Sequence, residues 1–352
     1  MKLSFLDFLC CPQCQSDLHL QTTRGEGKEI IAGKLDCLNC GQTYPIQEGI
    51  PRFKTQQLQD EAAQTIKNFG ASWIKFSWLD PSYEQQFLDW IHPVNRNFFE
   101  GKTILDAGCG KGRHLVWAQR FKAKAVFGID LSDAVQVAYR HTRQLPNVHV
   151  AQADIYHPPL RSAFHYIYSL GVLQHLPDPE KGFHSLAKLL RPGGSISIWV
   201  YGRENNSWII WFINPLRRAI TSRMGPWGLQ VVSGAITACV LWPLLKLVYA
   251  PSCRLFPRLA RRLFYGEYLC YISKFPFRDI NSIVFDHLTP SIAHYLKREE
   301  IVRWFQNSNF REVQIQHHNR NSWKGFGTRS RTSPTYTSPL MGEDEGGGDH
   351  PR

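Results

Sequence analysis

KTILDAGCGKGRHL, residues 102–115, decides the fold class. It reads as a short apolar strand, a loop with glycines at alternate positions, and the start of a helix. Gly108, Gly110 and Gly112 carry no Cβ and tolerate positive φ, so bare backbone can approach a ligand closely. The helix behind them offers unpaired N–H groups and a partial positive charge to an anionic group such as a carboxylate. The spacing Asp-x-Gly-x-Gly-x-Gly, opened by Asp106, differs from the Gly-x-Gly-x-x-Gly of a dinucleotide site, which disfavours nicotinamide and flavin dinucleotides.

The runs that follow strengthen the reading. Residues 124–131 (KAVFGIDL) end near Asp130, twenty residues past Gly110, where a carboxylate can accept hydrogen bonds from ribose hydroxyls. Residues 148–155 (VHVAQADI) end near Asp154, placed at the next strand tip to meet an adenine amino group. A fourth apolar run covers 165–176 and a fifth, SISIWVYG, covers 195–202 after the turn LRPGG. Strands and helices alternate, so a parallel sheet with right-handed crossovers is the economical topology.

Together, DAGCGKG, GIDLS, QADI, SLGVLQHLPDP and LRPGG resemble the type-11 group of class I S-adenosylmethionine-dependent methyltransferases, over roughly residues 65–325. The resemblance implies an α/β fold, a Rossmann-like sheet with helices on both faces. It implies that Asp106 and the loop glycines border the methionine half of S-adenosyl-L-methionine. Asp130 with Leu131 would hold the ribose, Asp154 with Ile155 would frame the adenine, and Gly171 would pass beneath the transferring methyl. One departure is His165, which opens the fourth run where the family usually carries an acidic residue.

Cys11-Pro-Gln-Cys14 and Cys37-Leu-Asn-Cys40 are two Cys-x-x-Cys knuckles. Two such turns facing each other complete a tetrahedral Cys₄ site, and in a reducing compartment the spacing favours structural zinc over disulfides. Cys10 could substitute for Cys11, but Cys11 keeps the two-residue spacing. Cys109, Cys239, Cys253 and Cys270 are scattered and read as buried small apolar residues. Residues 3–54 resemble the small zinc ribbon that, as a separate subunit, activates tRNA and protein methyltransferases. A unit of that size has little core, so the metal is expected to supply much of its stability.

The expected organisation is a zinc ribbon at 1–54, a helical lid or linker at 55–101, and a cofactor-binding domain made of 102–202 and 276–327. In the lid, FGASWIKF puts Phe69, Trp73 and Phe76 at helical spacing, with Trp73 a possible substrate contact. A hydrophobic, basic helical insertion occupies 203–275, and a Ser-, Thr-, Pro- and Gly-rich tail at 328–352 is expected to be disordered. Within the insertion, residues 224–245 carry no charge, with Trp227 and Trp242 near the two ends. A single membrane crossing there would leave the last helix and strands on the wrong side of the bilayer. The insertion therefore reads either as a soluble cap over the site or as a segment lying in the membrane interface. The chain carries a net charge of +12, and from Gly202 to Arg262 there are nine Arg and Lys against Glu204 alone. The opening MKLSFLDFLCCPQC carries Asp7 and does not resemble a secretory signal, so the expected location is the cytoplasm or the inner face of its membrane.

A sulfonium methyl is already electrophilic, so a base is needed only where the acceptor must lose a proton. Candidates are His175, at the end of the fourth run, and Asp286, His287 and His294 in FDHLTPSIAHYL, with His175 and Asp286 foremost. Three functions stay open: methylation of a small or lipid-like acceptor, methylation of an RNA base with the ribbon as docking module, and a non-catalytic cofactor-binding partner subunit. The first is preferred because the basic stretch lacks the polar and stacking mixture of a single-strand channel.

Overall fold

The computed structural model describes residues 1–53, 60–81, 83–221 and 224–331. The expected linker residues up to 59 and the tail from 332 onward lie outside the described residues. Eleven strands form one sheet in the order β1-β2-β3-β4-β7-β6-β5-β8-β9-β11-β10. Its centre is β5 (Thr103–Ala107), β6 (Ala125–Asp130), β7 (Val148–Ala153), β8 (Phe164–Leu170) and β9 (Leu190–Tyr201), all paired in parallel. Every residue of β5 and β7 is buried, as expected when helices cover both faces of a parallel sheet.

Two strands close one edge, β10 (Phe310–His318) and β11 (Ser322–Arg329). β11 inserts antiparallel between β9 and β10, leaving β10 outermost although β11 follows it in the chain. β11 runs through Thr328 and Arg329, so the first residues assigned to the tail finish a strand. Gly171, at φ 76, ends β8, so the run 165–176 divides into a strand and a 3-10 turn over Leu173–His175.

The other edge belongs to the ribbon. β1 (Leu18–Glu26), β2 (Glu29–Cys37) and β3 (Thr43–Gln47) form an antiparallel meander, and β4 (Ile50–Phe53) pairs parallel with β7. The ribbon thus continues the central sheet and shares its core. Phe5 and Phe8 sit against Phe127 of β6 with ring centroids 5.5 and 4.5 Å apart, and Phe5 also meets His149 of β7.

The insertion leaves the C-terminal end of β9 and returns beside it, where Gly202 bridges Leu296. Its main helix, Trp227–Leu255, is followed by shorter helices at Pro257–Ala260, Gly266–Ile272 and Phe277–Leu288 that fold back along it. Two cysteine expectations are corrected here. Cys253 and Cys270 are joined as a disulfide, because the chain reverses between them and brings their Cα atoms to 6.0 Å. Cys239 is exposed, because the helix turns it outward; Cys109 is buried as expected.

Phe5 is 1% exposed and welds the ribbon to the sheet. Replacing it with Ala should cost about 3 kcal/mol in urea unfolding. Because one core serves both parts, thiol reactivity in the ribbon and far-ultraviolet signal from the sheet should be lost in a single transition.

Candidate functional site

The strand order reverses beside β5: β6 and β7 extend to one side, β8 and β9 to the other. Ligands of open parallel sheets bind outside the carboxyl ends of the strands at such a switch point. A cavity of about 720 Å³ opens there. Its wall takes Gly108, Gly110 and Lys111 from the end of β5, Asp130 and Leu131 from β6, Asp154 and Ile155 from β7, and Gly171 and His175 from β8. The helix Asp60–Lys75 covers it with Thr65, Ile66, Phe69 and Trp73.

The glycine loop is tied to the next strand. Gly110 N–H donates to Asp130 Oδ2 at 2.9 Å, while Asp130 Oδ1 accepts from the Ser132 N–H at 2.9 Å and its hydroxyl at 2.6 Å. A carboxylate offers about four acceptor positions, so one remains for a ligand hydroxyl. Burial raises the Asp130 carboxyl, and the Ser132 and Gly110 donors oppose that rise. Asp154 accepts from Tyr156 N–H at 2.9 Å and has His157 nearby.

The glycines differ in what they permit. A Cβ on Gly108 would lie 2.4 Å from Val172 Cγ2, and one on Gly110 would lie 3.2 Å from Trp73 Nε1. Gly112 lies outside the cavity lining; a Cβ there would lie 2.9 Å from Ala138 Cα, so its absence lets the start of the helix Arg113–Arg120 pack against Ala138. Asp106 also lies beneath the loop rather than in the lining. It is 1% exposed, and its Oδ2 has no hydrogen-bond partner. Burial raises its carboxyl well above the usual range and the Asp130 charge adds to that, while Arg113 and the neighbouring Tyr168 hydroxyl oppose it.

The two candidate bases are placed differently. His175 lines the cavity, with Phe69 on one side and Tyr201 on the other. Its Nδ1 lies 2.9 Å from the Ile292 carbonyl oxygen, which can only accept, so Nδ1 carries the proton and Nε2 the lone pair. Burial pushes the imidazole down to about 3, so the ring is neutral at pH 7. Asp286 sits behind the covering helix, where its Oδ1 accepts from the Ser72 hydroxyl at 3.0 Å, and it does not line the cavity. Burial raises its carboxyl to about 6.

Lys111 is the residue that sequence reasoning passed over. It is 2% exposed, and Nζ donates to the carbonyls of Phe76 at 2.7 Å and Trp78 at 2.9 Å. The only signal was its place between two loop glycines. Burial, with Arg113 nearby, lowers its ammonium to about 7.

Away from the cavity, the sulfurs of Cys11, Cys14, Cys37 and Cys40 lie within 4.8 Å of one another. Cys11 Sγ is 3.5 Å from Cys40 Sγ, and Cys14 Sγ is 3.4 Å from Cys37 Sγ. Cys10 turns away and donates to Gln15 Oε1, so Cys11 is the member of the cluster.

Comparison with known proteins is consistent with this geometry. Residues 104–194 match the model of a methyltransferase domain, and residues 2–49 match that of the Trm112p-like proteins. The chain is 32% identical over 171 residues to a ubiquinone biosynthesis O-methyltransferase of Idiomarina loihiensis, a match covering 45% of this chain and 68% of that one. It is 34% identical over 184 residues to a tRNA U34 carboxymethyltransferase of Pseudoalteromonas translucida, covering 47% of this chain but only 55% of that one. Among solved structures, magnesium protoporphyrin IX methyltransferase of Synechocystis aligns with 12% identity and a TM-score of 0.44, over 78% of this chain and 100% of that one. A complex of the Haloferax volcanii Trm112 methyltransferase activator with a putative methyltransferase aligns with 14% identity and a TM-score of 0.42, over 78% of this chain and 100% of that one. The family-model match and the identity to the first relative agree, and the chain belongs to the S-adenosylmethionine-dependent methyltransferases.

Proposed function

We propose that this chain transfers the methyl group of S-adenosylmethionine to a small, lipid-like acceptor held under the covering helix. The cavity residues fit that cofactor. Bare loop backbone at Gly108 and Gly110 leaves room where a side chain would collide, and beneath it lies the buried Asp106 carboxyl, with only the Tyr168 hydroxyl as a side-chain hydrogen-bonding neighbour among the described residues. A cationic group above would favour the ionised form of Asp106 and offset part of its burial. Asp130 would accept from the ribose, while Asp154 and Ile155 would border the adenine.

When bound, the cofactor supplies an electrophilic methyl, and the remaining work is alignment and exclusion of water. The helix Asp60–Lys75 provides the cover, and Lys111 ties the turn beyond that helix to the glycine loop. The observation that carries the acceptor class is the wall facing the end of β8. Ile66, Phe69, Val172 and Leu176 make it apolar, and His175 supplies one neutral polar ring. Nε2 of His175 can accept a hydrogen bond from an acceptor hydroxyl and orient it. The relative named for ubiquinone biosynthesis supports an O-methylated, apolar acceptor. The relative named for tRNA and the Trm112p-like ribbon support RNA as the second reading.

Incubation with methyl-labelled cofactor and cell extract decides between them. Label is expected in the organic phase, and label in the RNA fraction instead would overturn the acceptor class. In calorimetry, Asp130→Ala should weaken cofactor binding at least about tenfold, roughly 1.4 kcal/mol, with folding preserved. His175→Ala should lower kcat while leaving cofactor affinity near its original value.

The four clustered thiols are proposed to hold one structural zinc. Metal analysis of the purified chain should find one equivalent, and Cys37→Ser should lose it and lower Tm. An unmodified chain free of zinc would remove the metal from the account, and full occupancy in Cys37→Ser would remove this cluster as its site.

Lys111 gives a pH test of the tie. The folded chain favours its neutral form, so between pH 7 and about 10.5 the unfolded chain binds more protons. Stability from this group therefore rises with pH across that window. Chemical denaturation should show Lys111→Met lacking this rise; parallel pH curves for the two proteins would contradict it.

A further inference from the structure

The geometry points to the outer face of the helix Trp227–Leu255, with the basic turn after it, as a docking surface for an anionic lipid bilayer. The helix is apolar on the outward face, where a water-facing helix carries polar residues. Its inward positions recur every four residues as Leu229, Ser233, Thr237, Leu241, Leu245 and Tyr249, all buried except the half-buried Leu241. Two of those buried positions are hydroxyl residues, satisfied by bonds such as Thr237 to the Ser233 carbonyl at 2.7 Å. The outward positions are the apolar ones: Trp227, Val231, Val240, Leu247 and Leu255 are exposed, Trp227 at 81% and Leu247 at 77%. Lys246, which follows the uncharged stretch, folds inward and donates to the Ser273 and Phe275 carbonyls.

By length and composition this helix could cross a membrane. Its packing says that it lies flat instead. Near its start Leu229 packs with Phe76 and Phe285, and near its end the Tyr249 hydroxyl donates to the Phe264 carbonyl at 2.6 Å. The neighbouring Tyr265 hydroxyl then reaches Asn205, beside the end of β9, and Arg320 pairs with Glu267. Both ends of the helix are therefore held against the body of the protein at the same sheet edge as the cavity.

Charge identifies what covers this face. The turn RLFPRLARRLF, residues 254–264, exposes Arg254, Arg258, Arg261 and Arg262 beside Leu255, Phe256, Leu259 and Phe264. Among the described residues none of these arginines has an acidic side chain in ion-pair range. Trp211 and Phe212, also exposed, extend the apolar surface from the first turn of the insertion. Apolar side chains at acyl depth with arginines level with phosphates is the arrangement of an interfacial helix. A protein partner or a second copy would have to supply both a long apolar trough and an acidic rim. A lipid surface supplies both without specific shape.

The test is flotation of the full chain with vesicles of phosphatidylcholine alone or with one third phosphatidylglycerol. Binding is expected on the anionic vesicles, weaker on the neutral ones, and reduced by salt. Arg258→Glu with Arg261→Glu and Arg262→Glu should lower partitioning on the order of a hundredfold. Leu247→Asp, at an exposed position with no core contact to lose, should abolish it while cofactor binding by calorimetry stays unchanged. Failure of the unmodified chain to float on anionic vesicles would overturn the proposal. So would a dimer in solution that Leu247→Asp converts to monomer, which would make a second copy the occupant.

Discussion

The site depends on one hydrogen bond between neighbouring strand ends. Gly110 N–H meets the Asp130 carboxylate across the gap between β5 and β6, and this fixes where the glycine loop stands relative to the rest of the cavity edge. The loop residues take positive φ at 108, 110 and 112, conformations that only glycine adopts without strain. Without a tether such a loop would sample many states, because glycine also loses the most conformational entropy on ordering. Asp130 supplies the tether, and Ser132 holds Asp130 with two further bonds. The carboxylate is thus both anchor for the loop and a remaining acceptor for a ligand hydroxyl.

A second constraint acts from above. The Trp73 indole lies over Gly110, and Lys111 reaches to the carbonyls just beyond the same helix. Cover and floor are therefore joined through one buried ammonium. Burying that charge is unfavourable, and two carbonyl bonds with aromatic faces of Trp73, Trp78 and Tyr83 near 5 Å recover part of the cost. The covering helix itself turns the apolar side chains Ile66 and Phe69 toward the cavity. The acceptor side of the cavity has that same apolar character.

Much of this was legible in the residues. β5, β6 and β7 announce themselves as short apolar runs ending in Asp or Gly, because strands buried on both faces have no polar alternation to confuse the pattern. The Cys₄ cluster was equally open, since two Cys-x-x-Cys turns carry their own geometry. What stayed hidden was long-range. Nothing local in IPRF shows that β4 pairs with β7, or that Phe5 and Phe8 pack on Phe127 and join ribbon to sheet. Cys253 and Cys270 looked solitary because their pairing follows from the reversal of a helical insertion, seventeen residues apart. Asp286 reads in sequence as a polar group near the chemistry, yet packing places it behind the covering helix on Ser72.

The insertion shows where a sequence pattern stops being decisive. A helix that is apolar on every side carries no amphipathic phase, so hydrophobicity alone cannot tell a crossing helix from a core helix or an interfacial one. The phase appears only when packing is seen, and here it is the reverse of the soluble arrangement: Ser233 and Thr237 point in while Val240 and Leu247 point out. Exposing such a stripe to water has a hydrophobic cost of about 25 cal/mol for each Å² left uncovered. No compensating contact exists on that side among the described residues, whereas the arginines of 254–262 all stand at one end of it. Because β9 delivers the insertion at the carboxyl edge, the insertion and the cavity stand at the same end of the sheet. The proposed apolar acceptor and the proposed bilayer contact thus rest on one shared feature, apolar surface at the end of the sheet where the cavity opens.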